Sequence, residues 1–127
     1  MTENTKEFAP IIVFAFNRLD VLKITISSLA NNPEARFTEL FVFVDGPRLD
    51  KEGEAEKVKA VQEYIKTIGN FQSITYKFSD QNNGLGPSII SGVTEIINQY
   101  GKAIVLEDDL ILTENFLSFM NEGLQKY

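Results

Sequence analysis

Three adjacent carboxylates, Glu107-Asp108-Asp109, close the apolar run Ala103-Ile104-Val105-Leu106 and are the strongest chemical signal in this 127-residue sequence. Like charges side by side at the end of a buried segment repel one another and lose solvation unless a cation compensates. A divalent ion does so. Oxygen donors, with neither His nor Cys anywhere in the chain, favour Mg²⁺ or Mn²⁺ over zinc or copper. An acidic triplet in a solvated turn beside Lys or Arg is the competing reading, and the position after an apolar run is what weighs against it.

Two more polar groups end apolar runs. Asp45-Gly46 follows Phe41-Val42-Phe43-Val44: the carboxylate can accept from a ribose hydroxyl or a base N–H, and the glycine lets backbone approach a ligand. A turn closed by the aspartate itself explains these two residues equally well. Asn17-Arg18 follows Ile11 to Phe16, and Arg18 can pair with a phosphate or a base carbonyl, or merely with Asp20 at the surface. The segment Asn82-Asn83-Gly84-Leu85-Gly86 fits neither the P-loop nor the dinucleotide fingerprint. It is read as a turn leading into a helix, with a backbone contact to ligand as the secondary reading.

Composition removes whole classes of function. Without Cys or His there is no disulfide framework, thiol nucleophile, zinc finger or Ser-His-Asp triad. Eighteen acidic against twelve basic residues give a net charge of -6, which disfavours non-specific nucleic-acid or anionic-membrane binding. No segment approaches the roughly 20 apolar residues of a membrane span, and the polar start lacks a signal-like stretch. The expectation is a cytoplasmic protein, with peripheral attachment to the inner membrane face through another chain left open.

The elements that must position these residues alternate strand and helix. Ile11 to Phe16, Leu40 to Val44 and Ala103 to Leu106 are unbroken apolar runs, as in strands covered on both faces. Ser73 to Phe78 alternates more and reads as a strand nearer an edge. Between them, Leu19 to Leu29 and Glu52 to Ile68 have helical spacing, the second with Ala55, Val58, Val61, Tyr64, Ile65 and Ile68 inward and Gly69 at its end. A third helix enters near Pro87 and closes at Gly101, and Thr113 is placed to cap a last one. This order predicts an open, mostly parallel α/β sheet flanked by helices, Rossmann-like, over 9–127 after a polar tail at 1–8. In such sheets ligands bind beyond the carboxyl ends of the strands, so Arg18, Asp45 and the acidic run converge if their strands are neighbours.

Pro10 to Arg18, Phe41 to Gly46, Asn83 to Gly86 and Ile104 to Leu110, in that order, resemble the nucleotide-diphospho-sugar-binding half of GT-A fold glycosyltransferases. The likeness is to family 2 and also to N-acetylglucosaminyltransferase I, whose Glu-Asp-Asp motif precedes an apolar stretch and a phenylalanine-bearing helix, here Leu110-Ile111-Leu112 and Phe116. The resemblance implies a hexosyl- or N-acetylhexosaminyltransferase donor domain. Asp45 would contact the uracil or ribose of a UDP-sugar, and Arg18 would sit near the nucleotide. Glu107 and Asp108 would approach the ribose and sugar-phosphate, and Asp109 would hold the Mn²⁺ or Mg²⁺ bridging the diphosphate in this DXD-like motif. The saccharide or other glycan acceptor and the general base would belong to a half expected beyond Tyr127, so the chain is read as a truncated donor-binding half.

Two other functions stand against this one. A non-catalytic nucleotide-binding or interaction domain of the same fold, including a homo-oligomer formed through an uncovered sheet edge, differs by lacking metal-dependent UDP binding. Response-regulator-like signalling domains carry an acidic pair after the first strand, where this chain has Asn17-Arg18.

Overall fold

A computed structural model describes residues 8–107 and 116–126. Among the described residues nine elements follow one another: β1 (Ile11–Ala15), α1 (Leu19–Ala30), a 3₁₀ turn (Pro33–Phe37), β2 (Glu39–Val44), α2 (Glu54–Ile65), β3 (Ser73–Phe78), α3 (Leu85–Tyr100), β4 (Ile104–Glu107) and α4 (Phe116–Lys126). The described strands form one all-parallel sheet in the order β3-β2-β1-β4. The α/β expectation therefore holds, with the first apolar run inside the sheet and the alternating one, β3, at an edge; the run of β4, expected to be covered on both faces, lies at the other edge of the described sheet with Val105 exposed, because only β1 flanks it there.

Period-two side-chain alternation sorts the core onto two faces. Ile11, Val13 and Ala15 of β1 join Leu40, Val42 and Val44 of β2 on one face, under Leu22 and Leu29 of α1, Val58 and Ile65 of α2, and Leu117 of α4. Ile12, Phe14 and Phe41 face the other way, against Ile96 of α3. Right-handed crossovers explain this split: two successive moves in one direction put α1 and α2 on one side, and the return past β1 to β4 puts α3 on the other. The reversal makes the β1–β4 junction the switch point of the sheet.

Local chemistry sets the element ends. Gly101 adopts φ 80° and its N–H donates to the Ile97 carbonyl at 2.8 Å, closing α3 at the expected glycine. After α2 the left-handed position falls on Asn70, φ 68°, and not on Gly69. That helix is shorter than its apolar spacing implies, and at its start Ala55 is exposed while Glu54 is buried. Two buried asparagines fasten α4. Asn121 accepts from the Ala9 N–H and donates to the Leu117 carbonyl, both at 2.8 Å, and Asn32 accepts from the Leu117 N–H at 2.8 Å. Thr113 lies outside the described residues.

Candidate functional site

Register fixes where the polar groups emerge. Ala15 lies opposite Val44, and Phe14 opposite Glu107, so β1, β2 and β4 all end at one edge of the sheet. Asn17 and Arg18 leave β1 there, Asp45 leaves β2, and Glu107 is the last residue of β4. A cavity of about 980 Å³ opens at this edge and is lined by Arg18, Asp45 and Glu107 together. Its size is at the upper end of small-ligand clefts. Asp108 and Asp109, the other two sequence-predicted site residues, lie outside the described residues.

Its floor is apolar. The rings of Phe14 and Phe43 stack with centroids 5.4 Å apart and line the cavity below α3. The helix can approach because residue 92 is glycine: a Cβ there would stand 3.0 Å from the Phe14 ring and 3.3 Å from that of Phe43. These phenylalanines pack under α3 as strand residues with one side turned to the cavity.

Asp45 organises the loop opposite. Its Oδ1 accepts from the backbone N–H groups of Gly46 and Asn83, both at 2.9 Å. Its Oδ2 accepts from the Gly84 N–H at 3.0 Å and from Asn82 Nδ2 at 3.3 Å. The aspartate thus joins the end of β2 to the entry of α3, a longer-range role than closing its own turn. Gly46 is required by the same junction, since a Cβ would come within 2.7 Å of the Gln81 carbonyl carbon and oxygen. The close backbone approach expected at Gly46 is therefore met by the chain itself.

A second polar cluster escaped the sequence reading. Glu54 is 5% exposed and accepts from the Arg48 N–H and Nε, both at 2.9 Å, from Arg48 Nη2 at 2.7 Å and from Asn17 Nδ2 at 3.1 Å. Hydrogen bonding from the Arg48 side chain outweighs burial and holds the Glu54 carboxyl at about 2, well below the usual carboxylate range. The same bond raises the Arg48 pKa further. Nothing local signals this pair: arginine in a turn and glutamate at a helix start are ordinary surface choices. Across the cavity, Lys77 of β3 pairs with Glu95 of α3 at 2.7 Å.

The glycosyl transferase family 2 model matches residues 11–126, nearly the whole chain and every element described above. The chain belongs to glycosyl transferase family 2. No curated protein gives a significant match. In open α/β sheets ligands bind beyond the carboxyl ends of the strands at the switch point, and the cavity of this family-2 domain opens there. Among the described residues no helix is long and apolar enough to cross a membrane.

Proposed function

We propose that this family-2 domain binds a UDP-sugar through a divalent cation and presents it for glycosyl transfer to a saccharide or other glycan acceptor. The observation that carries the reading is the single cavity reached by Arg18, Asp45 and Glu107 from the ends of three neighbouring strands. Asp45 serves the uracil or ribose end, Arg18 the nucleotide, and Glu107 with Asp108 the ribose and sugar-phosphate. Asp45 already accepts about as many hydrogen bonds as a carboxylate can, so an incoming N–H or hydroxyl takes the place of the long Asn82 bond at 3.3 Å.

The acidic run would hold the metal. Glu107 is exposed and lines the cavity, a hard oxygen donor of the kind Mn²⁺ or Mg²⁺ takes, and two further carboxylates follow it directly in the sequence. The donor set therefore fits such an ion, with Asp109 as its ligand. When bound, the cation stabilises the negative charge that develops on the diphosphate as the anomeric bond breaks. The chain's own residues orient the nucleotide between the Asp45 loop and the acidic edge.

Calorimetric titration of UDP and UDP-sugars with and without Mn²⁺ tests the reading. Binding that requires Mn²⁺ and is lost in Asp109→Asn, with unchanged thermal stability, is the expected result. Equal binding in metal-free buffer, or none by the folded protein, would overturn it.

A further inference from the structure

The Arg48–Glu54 pair, of which Arg48 lines the cavity, has a geometry that an ordinary surface ion pair does not need. The carboxylate is buried, and all its acceptor positions are taken by Arg48 and Asn17. Glu54 grips the guanidinium along its Nε–Nη2 edge, which fixes the plane of the group. The Phe16 ring lies 5.8 Å from Arg48 Cζ and limits the motion further. Yet the Arg48 side chain is 47% exposed and lines the cavity, and its Nη1 end has no partner among the described residues. The result is a guanidinium oriented in advance, with an unused donor end.

Charge and position decide what that end suits. Glu54 offsets part of the Arg48 charge and occupies its Nε–Nη2 fork, so what remains is the Nη1 end, which suits a single carbonyl oxygen better than the bidentate grip a diphosphate takes. Arg48 follows the end of β2, next to Asp45, whereas the acidic run follows β4, with β1 between them. Two strand spacings put about 10 Å between these positions. One cavity is lined by Glu107 at one end of this span and by Asp45 and Arg48 at the other, so a diphosphate held at the acidic edge would leave room for its nucleoside to extend towards β2.

We infer that Arg48, aligned by Glu54, donates from its Nη1 end to a carbonyl oxygen of the donor's nucleobase and so helps decide which nucleotide enters. The inference rests on the nucleotide-sugar reading above and adds to it a base-selecting residue and its positioning partner. Arg48→Lys keeps the positive charge beside Glu54 and removes the planar fork.

Titrations of UDP, ADP and inorganic pyrophosphate in the presence of Mn²⁺, with melting temperature as the fold control, test it on the full chain. Arg48→Lys is expected to weaken UDP by about tenfold, the scale of one charge-assisted hydrogen bond, and to leave ADP and pyrophosphate unchanged. Glu54→Gln should give a smaller loss confined to UDP, and the double variant should bind no worse than Arg48→Lys alone. Arg48→Gln carries the same comparison if the lysine variant melts early. Equal losses for UDP and ADP, or for UDP and pyrophosphate, would place the contact on ribose or phosphate and overturn the base assignment. Undiminished UDP binding would reduce the pair to a structural one. Failure of the folded wild-type chain to bind UDP would remove the nucleotide-sugar reading and this inference with it.

Discussion

Asp45 is a joint in the protein, tying the end of β2 to the entry of α3. Its two oxygens hold the backbone N–H groups of Asn83 and Gly84, so Asp45→Ala removes the tie between β2 and α3. The variant should lose about 1–3 kcal/mol in urea unfolding, the usual range when hydrogen bonds to a charged acceptor are removed. Amide exchange at Asn83 and Gly84 should accelerate by more than elsewhere in the chain. Glu54 makes the pH prediction. Its carboxyl sits at about 2 in the folded chain against an ordinary 4.5, so the unfolded state takes up a proton first as pH falls. The stabilisation is fully present above about pH 4.5 and fades as pH drops towards 2. Urea midpoints measured from pH 5 to 2.5 should therefore fall more steeply in the wild type than in Glu54→Gln. A sequence reader could see Asp45, since it ends an apolar run. Glu54 was hidden, because its burial depends on Asn17 and Arg48 arriving from two other segments.

At the scale of elements, two helices are held by contacts of different kinds. α3 approaches the sheet through Gly92, where a methyl group would press on Phe14 and Phe43. Gly92→Ala gains helix propensity of up to about 1 kcal/mol but forces that contact apart. A net loss of about 1–2 kcal/mol in thermal or urea unfolding is expected, together with weaker UDP binding, because the displaced rings floor the cavity. α4 is held by polar contacts. Asn121→Ala strands the buried Ala9 N–H, which should cost about 1–3 kcal/mol and raise amide exchange along α4 selectively. The helices and strands themselves were legible from periodicity, including the edge character of β3 and the glycine stop of α3. The end of α2 was misjudged, since apolar spacing runs on to Ile68 while the helix stops at Ile65, after which Ile68 still packs against the core from a turn. Spacing records which side chains are covered, and a turn can cover them as well as a helix.

For the whole molecule, the proposed ligand and metal would act by mass action on stability. UDP with Mn²⁺ should raise the melting temperature in proportion to the logarithm of ligand concentration, and EDTA should abolish the shift. UDP at the same concentration without metal should move it little. A scan of melting temperature against UDP at fixed Mn²⁺ checks both statements, and a metal-independent shift would contradict the assigned use of the acidic edge.

The sequence alone determined the α/β class, the alternation of elements and the polar groups at strand ends, because burial on both faces of a parallel sheet leaves unbroken apolar runs whose ends stand out. Strand order was decided only in three dimensions: β4 pairs with β1 and not with β3, through contacts 93 residues apart between Ile11 and Ile104. That pairing brings Glu107 into one cavity with Arg18 and Asp45. The Asp45 tie to the loop before α3 and the Asn17–Glu54–Arg48 cluster were decided there too, since each joins segments whose separation along the chain carries no local pattern. Periodicity reports the environment of a residue, and only packing names its neighbour.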